Sequence, residues 1–412
     1  MSPIRFSALL PLFPFLTLAR EIAFPPLSGY QNQQVPVQPG SEFDAAGNIK
    51  NDGISGAKFA GLMTFANLPY VHCLAADEED VEKFDIAFLG APFDTLDRAP
   101  DMGQEASVSA QGGWFQRNGI FTPVGNRFSF LCSNSSVESD VQKEAGRGEN
   151  AYQSWAKIVD CGDAPLTFLD NTVALKQLDR THKVLAGRKT NSSDYTTPRI
   201  ITLGGDHTTT LSALRSTAEK WGPVSVIHFD SHIDTWDPEV LGGGISHYAG
   251  VNHGTFLHIA HEEGLIRNTS IHAGIRAPVM RPKGDIRNDI RCGFDMVKAR
   301  EIDRIGIDGV IERLKQRVGD SNVYISVDID VLDPAFAPAT GTAEPGGWSS
   351  RELLSILDGL SGLNVIGADI VEVSPVWDNA GETTVLAAAQ VADSLLTLMV
   401  QTPVKSKVEE LQ

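Results

Sequence analysis

Cysteine is scarce in this 412-residue chain: Cys73, Cys132, Cys161 and Cys292 are widely spaced, and no two form a Cys-x-x-Cys pair. That spacing excludes a thiolate zinc or haem motif. One disulfide is compatible with an oxidising compartment, yet Cys161 closes the apolar run "AKIVDCG", where a buried free thiol is the favoured reading. Basic residues are also in deficit, with 34 Lys and Arg against 52 Asp and Glu and a formal net charge of -18. Such a surface repels phosphate backbones, so nucleic acid is excluded as a partner. Long apolar runs are confined to the first twenty residues, "MSPIRFSALLPLFPFLTLAR", and there Pro11 and Pro14 break them. Later runs are interrupted by Asp, His or Gly within about ten residues, so no membrane-spanning segment and no membrane partner is expected.

The opening stretch fits a secretory signal peptide over residues 1–20, with Arg5 ahead of the apolar part. Sequons at Asn134, Asn191 and Asn268 are compatible with that route, and the expectation is a secreted or vacuolar glycoprotein. Residues 21–83 are rich in Pro, Gln, Gly and Asn up to Asn51 and end in the acidic run "ADEEDVEK". They read as an N-terminal arm, extended and with room for one helix.

From residue 84 to 402 a unit recurs: a short apolar run that ends in Gly, Asp or His, then an amphipathic stretch. The runs are "FDIAFLGAPFD", "AKIVDCGD", "RIITLGGDH", "VSVIHFDSHID", "SIHAGIRA", "VYISVDIDVLD" and "VIGADIVEVSP". Near-continuous apolar runs suit parallel strands covered on both faces. Segments such as "TTTLSALRSTAEKWG", "GVIERLKQRVG", "SSRELLSILDGLSG" and "ETTVLAAAQVADSLLTLMV" read as helices between them, the third capped by Ser349 or Ser350. The alternation predicts an α/β sandwich, in which ligands gather beyond the carboxyl ends of the strands. Residues 95–150 follow neither period and read as an atypical insertion or loop.

The polar residues at the strand ends carry the chemistry. In "HFDSHIDTW" Asp230, His232 and Asp234 recur at every second position, so an extended backbone projects them to one side. "SVDIDVLDP" repeats the device with Asp328 and Asp330, and "LGGDH" adds His207. Buried carboxylates at this density repel one another unless protonated or neutralised by cations. Four carboxylates with two imidazoles and no thiolate suit Mn²⁺ and argue against a structural zinc.

At these residues the chain resembles the ureohydrolases, the family of arginase, agmatinase and guanidinobutyrase. The motifs are "LGGDHT" at 203–208, "HFDSHIDT" at 228–235 and "SVDIDVLDPAFAPATGTAEPGG" at 326–347. The resemblance spans roughly residues 84–400 and implies a three-layer αβα sandwich with a central, mostly parallel sheet. It also implies two Mn²⁺ per subunit, one held by His207, Asp230, Asp234 and Asp328 and the other by Asp230, His232, Asp328 and Asp330. A water activated between the metals would attack the guanidinium carbon, Asp234 would pass a proton to the departing amine, His253 would shuttle protons and Glu372 would pair with the guanidinium. Family members are commonly oligomers, so a homo-oligomer is expected. Trp236, "HGT" at 253–255 and Glu344 resemble the agmatinase branch, which points to agmatine, a small cationic guanidine. The closest rival substrate is 4-guanidinobutanoate, and a metal-binding protein without activity is the alternative of a different class. After "GAPFD" the chain departs from the family's usual entrance segment, which bears on substrate fit and leaves the ligand positions untouched.

Overall fold

A computed structural model describes residues 64–76, 78–93, 150–167, 170–244 and 250–406, which lie within one compact unit, Gly61–Gln412. The signal peptide, the arm up to residue 63 and the 95–149 stretch fall outside the described residues. The strands are β1 Ile86–Ala91, β2 Ile158–Asp163, β3 Arg199–Gly204, β4 Ser225–Phe229, β5 Ser270–Ile275, β6 Phe294–Lys298, β7 Asn322–Asp328 and β8 Asn364–Val371. The helices are α1 Asn171–Ala186, α2 Thr209–Trp221, α3 Pro238–Leu241, α4 Phe256–Glu262, α5 Pro282–Arg291, α6 Ile302–Val318, α7 Ser350–Gly359 and α8 Thr383–Gln401.

All eight strands are parallel and form one sheet in the order β2-β1-β3-β8-β7-β4-β5-β6. Seven of them coincide with the apolar runs. The eighth, β6, escaped that reading because "FDMVK" lies at the sheet edge, where only Phe294 and Val297 are buried. Helix α7 starts as its sequence predicts: the Ser349 hydroxyl accepts from Glu352 N and the Glu352 carboxylate from Ser349 N, satisfying two of the end's open donors.

Alternation along the strands divides the interior. Ile227, Phe229, Ile325 and Val327 pack against α6, α7 and α8, while Val226 and Tyr324 join Leu211 and Leu214 of α2 and Phe256 of α4 on the other face. The result is a three-layer αβα sandwich. The described end of the arm closes the sheet edge, with Phe65 stacked on Phe88 at 4.4 Å and Phe65 N–H bonded to Asp160.

Two expectations are corrected. Cys161 is buried, but it is not a free thiol: it forms a disulfide with Cys73. The partners are 88 residues apart, and only the packing of the arm against β2 brings them together. Secondly, α8 is long and apolar enough to cross a membrane by length and composition. It is instead a core helix, 78% buried over its apolar window, because α7 and the sheet enclose it.

Candidate metal centre

The four central strands, β3, β8, β7 and β4, deliver the site at their carboxyl ends. Beyond β3 the chain turns through Gly205, where a Cβ would stand 2.1 Å from the Phe93 carbonyl, and this close approach lets His207 drop into the interior. Beyond β4 come Asp230, His232 and Asp234; β7 ends at Asp328 and a single 3-10 turn adds Asp330; Glu372 follows β8. Asp234 and Glu372 hold positive φ, 48° and 62°, in a region that costs a residue with a side chain about 1–3 kcal/mol. Strain of that kind at two site residues is tolerated where packing imposes it.

Three carboxylates converge on one nitrogen. His207 Nδ1 stands 3.3 Å from Asp230 Oδ2, 3.1 Å from Asp234 Oδ2 and 3.3 Å from Asp328 Oδ2. A second group adjoins it: His232 Nδ1 is 3.2 Å from Asp230 Oδ1 and 3.0 Å from Asp330 Oδ2. Asp230 therefore reaches both groups with its two oxygens. All six residues singled out for metal come together here, five of them buried and His232 half-buried.

The surrounding bonds aim these ligands. Ser326 Oγ donates to Asp369 Oδ1 at 2.6 Å, so it accepts from His207 Nε2–H at 2.8 Å and turns Nδ1 toward the carboxylates. Asp369 is fixed in turn by Thr210 and Tyr324. Asp330 accepts from Ser231 N and Thr342 Oγ1. Arg276 holds the loop that carries Asp330 by donating to the carbonyls of Gly274, Asp330, Val331, Leu332 and Glu344.

The electrostatics call for positive charge. Burial and then repulsion by Asp230 push Asp234 up to about 6, and burial and its carboxylate neighbours hold Asp328 well above the usual range. Asp230 goes the other way, since contacts with His228, His207 and His232 outweigh its burial. Burial opposes a proton on His207, but the three carboxylates prevail and raise its pKa well above the ordinary value. A cation would replace that proton. Buried His207 Nδ1, His228 Nε2 and Asp230 Oδ2 also lack hydrogen-bond partners, as atoms reserved for an ion do. The donor set, oxygen-rich with imidazole, fits Mn²⁺.

His253 lies at the rim, its side chain 27% exposed and its Nδ1 3.7 Å from Asp206 Oδ2. Glu372 Oε1 accepts from His207 N–H at 2.9 Å, tying the two positions together. Trp236 is not at the open side: its indole is buried, donates to Asp285 and forms the surface under Gly254. It supports the His253 loop. Sequence reasoning missed His228, Ser326 and Asp369, although His228 and Ser326 each precede a site aspartate by two residues and so share its side of the strand.

The arginase family model matches residues 131–397. The chain belongs to the arginase family. It is 46% identical to the protein named "Putative agmatinase 1" of Schizosaccharomyces pombe, over 88% of this chain and 87% of that one. It is 38% identical to an Escherichia coli agmatinase over 58% of this chain and 70% of the relative. The solved structure of proclavaminate amidino hydrolase from Streptomyces clavuligerus superposes with a TM-score of 0.67 at 29% identity, covering 84% of this chain and 99% of the other. As an agmatinase-like member of the arginase family, the chain is a hydrolase that acts on guanidino groups.

Proposed function

We propose that this arginase-family enzyme hydrolyses agmatine to putrescine and urea with two Mn²⁺ per subunit. The observation that carries the reading is the convergence of Asp230, Asp234 and Asp328 within 3.3 Å of His207 Nδ1, beside the second group at His232. His207, Asp230, Asp234 and Asp328 would hold one cation, and Asp230, His232, Asp328 and Asp330 the other. Bound there, the pair would supply Lewis acidity and lower the pKa of a water to the point of nucleophilicity near neutral pH.

The protein's own groups account for the rest. Glu372, oriented through the His207 N–H, would pair with the planar guanidinium and present its carbon to the attacking water. As the C–N bond to the alkyl chain breaks, that nitrogen needs a proton to leave as an amine. Asp234, pushed up to about 6, is suited to carry it. His253 at the rim would exchange protons with solvent.

The agmatinase names of the two relatives and the absence of Lys and Arg from the sequence at 235–266 support agmatine over 4-guanidinobutanoate. Urea release from the Mn²⁺-loaded protein, measured in parallel with agmatine, arginine and 4-guanidinobutanoate, tests this; no urea from any of the three sinks it. For localisation, the Cys73–Cys161 disulfide and the exposed sequon residues Asn191 and Asn268 support passage through the secretory route. N-terminal sequencing and a glycosidase mobility shift of the natural protein check that assignment.

A further inference from the structure

Helix α5 supplies no residue to the metal centre, yet three of its side chains, Asp285, Asn288 and Asp289, share one face and close on the two residues that follow Asp234. Asp289 Oδ1 accepts from Thr235 Oγ1 at 2.7 Å, Asn288 Nδ2 donates to the Thr235 carbonyl at 2.5 Å, and Asp285 Oδ2 accepts from the Trp236 indole Nε1–H at 3.3 Å. Asp285 is held in turn by Arg281, whose backbone N–H and Nε donate to it at 2.6 Å and 3.3 Å. Thr235, Trp236, Asp285 and Asp289 are buried, where a polar group that loses its partner is costly.

The indole that Asp285 fixes is the floor of the His253 turn. Trp236 N–H donates to the Gly254 carbonyl at 3.1 Å, and a Cβ at 254 would stand 3.0 Å from Trp236 Cε3, so the missing side chain lets the turn rest directly on the ring. The turn is braced internally: Gly254 N–H donates to Asn252 Oδ1 at 3.0 Å and Thr255 Oγ1 to the Gly250 carbonyl at 2.6 Å. It therefore moves as a unit with its floor. His253 Nδ1 has no hydrogen-bond partner among the described residues, so that backbone sets the place of the imidazole.

We propose that Asp285 is a positioning residue for turnover, acting through the Trp236 indole to hold His253 at its working distance from the reacting atoms. This rests on the reading of His253 as the group that exchanges protons with solvent. Asn288 and Asp289 grip Thr235 independently, so removal of the Asp285 carboxylate frees the indole to turn while Asp234 and the other ligands keep their places. The loss falls on proton transfer, since His253 is neither a ligand nor a guanidinium contact in that scheme.

The test compares Asp285→Ala, Asp285→Asn, Trp236→Phe and the Ala/Phe double variant in urea release from agmatine and in Mn²⁺ titration of the full chain. Asp285→Ala and Trp236→Phe should each lower kcat by about 10–100-fold, the scale of a misplaced catalytic group, and the double variant no further. KM and Mn²⁺ affinity should stay within about twofold of native, and Asp285→Asn, whose amide oxygen still accepts the indole N–H, should recover most of kcat. Native kcat in a folded Asp285→Ala, a loss of Mn²⁺ affinity that matches the loss of kcat, or an Asn variant no better than Ala overturns the proposal. Where Asp285→Ala does not fold, Trp236→Phe decides, because it keeps the ring and removes only the donor. A native protein that releases no urea from agmatine, arginine or 4-guanidinobutanoate refutes the proposed function instead. Crystal structures of the native and Trp236→Phe proteins then decide the positioning: an imidazole of His253 displaced by about 1 Å or more supports it, and an unmoved one overturns it.

Discussion

Under helices α6, α7 and α8 the sheet presents Ile227, Phe229, Ile325 and Val327, all fully buried; at the alternate positions of the same two strands the opposite face presents Val226, His228, Tyr324 and Ser326. The first face is apolar at these four positions. The other mixes apolar packing with a polar column that runs from Asp369 through Ser326 to His207, and from Asp289 through His272 and His228 to Asp230. Burying polar groups is costly unless each finds a partner, so the second face trades packing for aim. The first face compensates with a continuous core that reaches from Ile86 to Val400. Stability and chemistry are thus separated by the pleat of the strand, one residue apart.

Substitutions can break this division or sharpen it, taken here in order of effect on turnover. Asp230→Asn removes a carboxylate whose two oxygens reach both groups, and the expected outcome is loss of bound Mn²⁺ together with urea release; full activity in a metal-loaded preparation would refute the shared-ligand assignment. Ser326→Ala keeps every ligand but frees His207 to turn, so Mn²⁺ affinity should fall by about 10–100-fold, read by titration of the folded protein.

Acidity acts on the same face. In the metal-free protein His207 is raised well above its ordinary range and Asp234 to about 6, so Mn²⁺ must displace a proton from His207 and, below about pH 6, from Asp234 as well. Binding should therefore release protons, and affinity should rise with pH through the region around 6, which calorimetry in buffers of different ionisation enthalpy would detect. Uptake of protons on binding would contradict this sign. Leu395→Ala, on the apolar face within α8, is the opposite case. It should cost about 2–5 kcal/mol of stability in denaturant titrations while leaving urea release per folded molecule unchanged.

Much of the architecture was legible because parallel strands covered on both faces need unbroken apolar runs, and seven of the eight strands have them. β6 was not legible, since an edge strand is half-exposed and tolerates Asp295 and Lys298. The site residues stood out for a related reason: alternation puts Asp230 on the same side as His228, and runs of acid at apolar strand ends have few structural explanations. His228 itself was passed over, because a histidine inside a strand reads as core until its neighbours are known. Its partner His272 is 44 residues away and Asp289 is 17 further on. The cysteines show the same limit, for burial of Cys161 could be read locally but its bond to Cys73 could not.

By itself the sequence determined the α/β alternation, the strand ends as the place of the chemistry, and the kind of donor atoms gathered there. These follow from local periodicity and from what side chains can coordinate. Tertiary structure alone decided that β7 and β8 would lie between β3 and β4, bringing His207 against Asp230, Asp234 and Asp328, and that the neighbours of those ligands would set their tautomers and charges. Strand order and proton placement depend on contacts between residues far apart in the chain, and no local pattern encodes them.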